Sequence, residues 1–117
     1  YEEAREWALQ RRQFGRLLCE FQGLQWKFAE MKIRLDAGQL LLYRAAANAD
    51  RGFPSAEETA IAKAFCNQAG FEIASEALQV MGGLGYSQES LVGCGIGRVT
   101  RKGGLAITPA GASVSDT

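Results

Sequence analysis

The sequence contains no histidine. That absence removes Ser-His-Asp and Cys-His catalysis, His-Glu-x-x-His zinc sites and most other transition-metal sites. Net charge is lacking too, because thirteen basic and thirteen acidic residues cancel. No excess of either sign therefore points to nucleic acid or an anionic membrane as the partner. Long apolar runs are missing: Leu40-Leu41-Leu42-Tyr43 is typical, against the roughly 20 residues of a membrane span. The opening residues, Tyr1 to Trp7, lack the basic start and apolar core of a signal peptide. They read as helix, and the missing initiator Met suggests a fragment of something longer. Cysteine is scarce. Cys19, Cys66 and Cys94 are an odd set at wide spacings with no Cys-x-x-Cys, and two sit inside helical patterns. They read as buried free thiols of a reducing compartment, not as a disulfide framework.

What is present is globular composition. Of 117 residues, 47% are apolar and 22% charged, enough for one small domain with a single core. The first helix is expected from about Tyr1 to Arg12, with Gly15 ending it and Phe14 to Phe21 as a connector. The second helix carries the strongest pattern. Leu24, Phe28, Met31, Leu35, Gly38, Leu42, Ala45 and Ala49 follow at spacings of 4, 3, 4, 3, 4, 3 and 4. All eight then share one face, large at the start and small towards the end, where a neighbouring helix could approach closely. Lys27, Glu30, Arg34 and Asp50 are expected on the opposite face. Gly52 is the expected stop, and Pro54 prevents continuation.

The third helix is expected from Ser55, where Ser55-Ala56-Glu57-Glu58 fits a capping box. Ile61, Phe65, Ala69, Ile73, Ala77 and Val80 mark its buried face up to about Met81. The short link from Arg51 to Pro54 forces the two long helices antiparallel. The fold class is therefore all-α, an up-and-down helical bundle. After Met81 the periodicity fails and glycine takes over. Between Glu89 and Asp116 there is no acidic residue.

Four stretches, in order, point to a family. They are Arg11-Arg12-Gln13-Phe14-Gly15-Arg16-Leu17-Leu18-Cys19-Glu20-Phe21-Gln22; Phe28-Ala29-Glu30-Met31 with Tyr43-Arg44-Ala45-Ala46; Ala62-Lys63; and Glu76-Ala77-Leu78-Gln79-Val80-Met81-Gly82-Gly83-Leu84-Gly85-Tyr86-Ser87. Together they resemble the carboxy-terminal helical domain of acyl-CoA dehydrogenases, over Tyr1 to about Val92. The resemblance implies a four-helix bundle preceded by a helical domain and a β-barrel domain. It implies FAD held between subunits of a homodimer, often a dimer of dimers. It also implies α,β-dehydrogenation of an acyl-CoA thioester, electrons passed to an electron-transferring flavoprotein, and a cytoplasmic or mitochondrial-matrix setting.

Residue by residue, the resemblance gives Arg11 to the pyrophosphate of a neighbouring subunit's FAD, a task suited to its fixed fork of donors. Gln13 and Gln22 match polar contacts to the cofactor, and Phe14 and Phe21 match apolar packing positions. Gln79-Val80-Met81-Gly82-Gly83 matches the segment along the adenosine half, where glycines let backbone approach closely. Taken singly, these residues read more plainly. Arg11 would be a solvated helix-end arginine, Phe14 and Phe21 core or staple residues, Gln22 a helix-start residue, and Gly82-Gly83 a helix stop. Gly93-Cys94-Gly95-Ile96-Gly97 is not Gly-x-Gly-x-x-Gly, because Arg98 and Thr100 fall where the third glycine belongs.

The resemblance stops abruptly. The glutamate that removes the α-proton in many family members falls at Ala106, and the Arg-Asp pair falls at Gly97-Arg98. The nearest carboxylates are Glu89 and Asp116, so no catalytic base is assigned. Residues 93–117 read as a divergent or out-of-frame tail in place of the last helix, and the chain alone is expected to be inert. A bundle short of a helix exposes an apolar seam, which predicts self-association. Two other functions fit the residues: a non-catalytic helical assembly module, and a flavin oxidase acting on acyl-CoA or small nitrogen compounds.

Overall fold

The computed structural model describes residues 1–49, 52–87 and 90. The order is α1 (Glu2–Gln10), β1 (Arg12–Gln13), β2 (Arg16–Leu17), a 3-10 turn (Leu18–Glu20), α2 (Gln22–Ala47), α3 (Ala56–Met81) and the short α4 (Gly83–Tyr86). The long helices pack antiparallel. Lys27 meets Glu76, Arg34 meets Glu72, Gly38 meets Cys66 and Asn48 meets Glu58, one sequence rising as the other falls. At 26 residues each, both are about 39 Å long at about 1.5 Å per residue. The helical-bundle expectation stands. The position of a last helix lies outside the described residues, as do Asp50, Arg51 and the tail from Gly93.

The seam of α2 is made by Met31, Gly38 and Ala45, all buried and seven residues apart. Phe28 and Leu24 are partly buried beside them, while Leu35 and Leu42 are more exposed than expected. Gly38 sets the helix spacing. A Cβ there would lie 3.3 Å from the Cys66 sulfur, and the Cys66 thiol donates to the Gly38 carbonyl at 3.6 Å. Burial alone raises the Cys66 pKa, which keeps the thiol protonated and inert.

That close crossing corrects the face expected for α3. Ile61 and Phe65 are 41% and 36% exposed, and Ala62 and Cys66 are buried in their place. Small side chains take the closest approach of the backbones, with the edge of the Phe65 ring beside it, 3.8 Å from a Cβ built on Gly38. Ala69, Ala77 and Val80 are buried as expected.

Lys27 and Arg34 are also not on an outer face. They flank the seam and pair across it, Lys27 with Glu76 and Arg34 Nε with Glu72 at 2.6 Å. At the start of α3, the Glu58 amide donates to Ser55 Oγ at 3.1 Å. The return half of the capping box is replaced by contacts of the Glu58 carboxylate with Asn48 (2.9 Å) and Arg44 (3.5 Å). Helix α2 ends at Ala47, before Gly52, which occupies φ +83° in the link.

One core closes the opposite end. Ala4 and Ala8 of α1 meet Met31 of α2 and Ala77, Val80 and Met81 of α3, ringed by Trp7, Leu18, Phe28 and Leu84. The Tyr1 and Phe28 rings meet edge-on at 6.0 Å. Gly85 completes this packing, since a Cβ there would fall 2.8 Å from the Leu78 carbonyl oxygen.

Candidate functional site

Helix α1 ends early, at Gln10, where Arg11 turns to extended backbone (φ −75°, ψ 131°). The segment expected as a plain connector is a hairpin: Arg12 pairs with Leu17 and Gln13 with Arg16. Its two-residue turn is Phe14-Gly15, with φ +52° and +77°. These are the φ signs of a type I′ turn, for which Asn-Gly is the usual chemistry. A phenylalanine in the left-handed region is strained by roughly 1–3 kcal/mol. Its side chain gains almost no burial in return, being 92% exposed. Packing among the described residues does not account for that conformation.

Several bonds fix the hairpin from behind. Leu18 N–H donates to the Arg11 carbonyl at 2.9 Å. Leu17 N–H donates to the Glu20 carboxylate at 2.6 Å. The Arg16 guanidinium donates to the Glu20 carbonyl at 3.0 Å and lies 5.0 Å over the Phe21 ring. The Gln25 amide donates to the Cys19 carbonyl at 2.9 Å, tying the 3-10 turn to α2.

Between hairpin and α2 lies an open concavity of about 530 Å³, whose walls include Gln13, Phe14, Leu18, Phe21, Gln22 and Lys27. Four of the eight residues expected to meet a cofactor are therefore in one place. Among the described residues, the side-chain amides of Gln13 and Gln22 have no hydrogen-bond partner. Lys27, which the sequence put on the far face, sits on this wall with its ammonium on Glu76. Its position between Leu24 and Met31, three after one and four before the other, was the available signal.

Arg11, Gln79, Gly82 and Gly83 do not line this concavity. They belong to the same end of the bundle, joined to it through the shared core. Arg11 lies 5.7 Å over the ring of Trp7, which packs on that core. It has no ion pair among the described residues. Gly82 ends α3 at φ +61°, ψ −134°, a conformation open essentially to glycine alone. Its own amide is already bonded to the Leu78 and Gln79 carbonyls, so it is not a free donor for a phosphate. Nothing lies within 4 Å of a Cβ built on Gly82 or Gly83, which leaves that surface open to close approach.

Residues 1–103 match the family described as acyl-CoA dehydrogenase, C-terminal domain. The chain belongs to this family. The short-chain specific acyl-CoA dehydrogenase of Megasphaera elsdenii is 40% identical over 87 residues, 74% of this chain and 23% of that protein. The solved structure of butyryl-CoA dehydrogenase from Megasphaera elsdenii superposes with a TM-score of 0.74 at 40% identity, over 78% of this chain and 24% of that one. The FAD complex of PigA superposes at 0.72 with 31% identity, over the same shares. The chain thus spans about a quarter of the length of the acyl-CoA dehydrogenase relatives it matches. Among its described residues no helix is long and apolar enough to cross a membrane.

Proposed function

We propose that this chain is the flavin-contacting, subunit-interface domain of an FAD-dependent acyl-CoA dehydrogenase. The observation that carries the reading is the hairpin tip: a strained, exposed Phe14 beside the amide of Gln13, unpartnered among the described residues, facing Phe21 and Gln22 across an open concavity. Family membership and a neighbour solved as an FAD complex support the same cofactor.

The residues suit the dinucleotide. Phe14 and Phe21 offer apolar faces for flat rings. Gln13 and Gln22 can each donate and accept, as ribityl hydroxyls and ring atoms require. Arg11 presents a guanidinium with no carboxylate on it among the described residues, fit for paired phosphate oxygens. Gln79 and the side-chain-free Gly82 and Gly83 offer the adenosine half a surface it can approach closely. When bound, FAD supplies the electron-accepting group for α,β-dehydrogenation of the thioester. This chain's part is to bind and orient. The acyl-CoA substrate, the base and the electron-transferring flavoprotein belong to the reading of the whole protein.

Self-association follows from α2. Trp26, Ile33 and Leu40 recur every seven residues and are exposed, a second apolar stripe beside the one that packs on α3. The reading assigns that stripe to the subunit interface of a homodimer or tetramer.

The test is FAD titration of the protein as encoded, flanking sequence included, followed by flavin absorbance. Phe14→Ala and Arg11→Ala are expected to weaken FAD by about tenfold each, the scale of one lost charge-assisted or stacking contact. A protein that binds no FAD would instead be the assembly module. The 117-residue chain alone is expected to give no acyl-CoA-dependent dye reduction, and turnover by it would overturn that inertness.

A further inference from the structure

Phe14 and Gln13 can serve a ligand only if the hairpin that carries them is held still. Two residues that do not themselves line the concavity do the holding. The geometry points to Glu20 and Arg16 as positioning residues, a brace that locks the hairpin so that its tip faces the dinucleotide. This proposal rests on the FAD reading given above.

The brace has two arms. In the ladder between β1 and β2, Leu17 faces Arg12 as the non-hydrogen-bonded pair, so its N–H points away from that strand. The Glu20 carboxylate accepts it at 2.6 Å. A carboxylate accepting from a backbone amide makes a stronger bond than a neutral pair. In the second arm Arg16 donates to the Glu20 carbonyl at 3.0 Å and stacks 5.0 Å over Phe21. Phe21 is both the residue before α2 and a wall of the concavity. Arg16 therefore ties the strand leaving the turn to the floor that the turn overhangs. Arg12 adds a weaker link, from its guanidinium to the Gly15 carbonyl at 3.4 Å.

The need for such a brace follows from the turn itself. Two residues at positive φ, one of them phenylalanine, form a turn that an isolated two-stranded hairpin would not hold. Neither strand exceeds two residues, so the ladder supplies little. The bonds behind the turn must supply the rest.

The experiment pairs two readouts on the protein as encoded: hydrogen exchange at the Leu17 amide, and FAD affinity by flavin fluorescence. Glu20→Ala is expected to speed exchange at Leu17 and to weaken FAD, each by about tenfold. Glu20→Gln keeps an oxygen acceptor and is expected to recover most of both. Arg16→Ala is expected to weaken FAD by about threefold to tenfold, with Arg16→Lys recovering less than half, because an ammonium cannot stack as a planar guanidinium does. Circular dichroism is expected to stay unchanged throughout, since no buried residue is altered. Unchanged Leu17 exchange in Glu20→Ala would overturn the brace. Faster exchange with unchanged FAD affinity would overturn its positioning role. Failure of the FAD reading would look different: Gln13→Ala and Phe14→Ala would then leave flavin affinity untouched, and the brace would stand or fall on exchange alone.

Discussion

The two ends of this bundle are built on opposite plans. At the α1 end, large side chains fill a common core, with Met31, Met81, Val80 and the partly buried Trp7 and Phe28 drawn from three helices. At the other end, α2 and α3 meet through alanines and Cys66. There they leave a cavity of about 550 Å³ whose lining includes Leu42, Ala45, Ala62, Lys63 and Cys66. Bulky residues are present at that end, but Ile61 and Phe53 face outwards and Phe65 is only partly covered. The contrast suits the function proposed. A strained, outward-facing hairpin needs a rigid base, and it sits on the end that has one.

The sharpest way to break the comparison is to delete one large side chain from each end. Met31 is 1% exposed, so Met31→Ala should cost about 2–5 kcal/mol. Phe65→Ala should cost less, about 1–2 kcal/mol, since the residue stays 36% exposed in the folded chain. Urea unfolding reads both, and equal costs would mean the ends are not so different. Gly85→Ala comes next, at about 1–3 kcal/mol, because the new Cβ meets backbone that cannot swing aside.

Phe14→Gly should move the other way. It relieves the positive φ and loses almost no buried surface, so stability should rise by up to about 1 kcal/mol while FAD affinity falls. A thermal melt that drops by several degrees would show that Phe14 is structural after all.

The smallest effect concerns the ion pairs that join α2 to α3. The Gln68 amide and Arg34 hold the Glu72 pKa below the ordinary glutamate value. The folded state then takes up that proton less readily than the unfolded one. The resulting stabilisation is complete above about pH 4.3, the unperturbed glutamate value. It disappears as pH falls through the lowered folded value. Glu72→Gln should flatten the acid limb of the stability curve and leave the neutral region nearly unchanged.

Much of this was legible beforehand, and the failures have specific causes. The alternating spacing of 4 and 3 from Leu24 to Ala49 located the α2 face, of which Met31, Gly38 and Ala45 are buried, and Ser55 located the start of α3. Only the first half of the α3 face differs from the expectation, because Ile61 and Phe65 outrank Ala62 and Cys66 in hydrophobicity, while Ala69, Ala77 and Val80 lie where the pattern put them. Size decides where Gly38 brings two backbones together. Lys27 and Arg34 looked like a solvated face because charge alone does not reveal a partner 38 or 49 residues away. The hairpin was illegible since Phe-Gly is not a sequence that announces a type I′ turn. The cofactor residues were readable only through family resemblance. No property of Gln13 or Gln22 alone separates a flavin contact from an ordinary surface amide.

The most direct test is a crystal structure of the protein as encoded, grown with FAD. The account predicts the dinucleotide against Gln13, Phe14, Phe21 and Gln22, with Arg11 on its phosphates and the Gln79–Gly83 segment along its adenosine. Cofactor density elsewhere, with Phe14 still standing free in solvent, would contradict it.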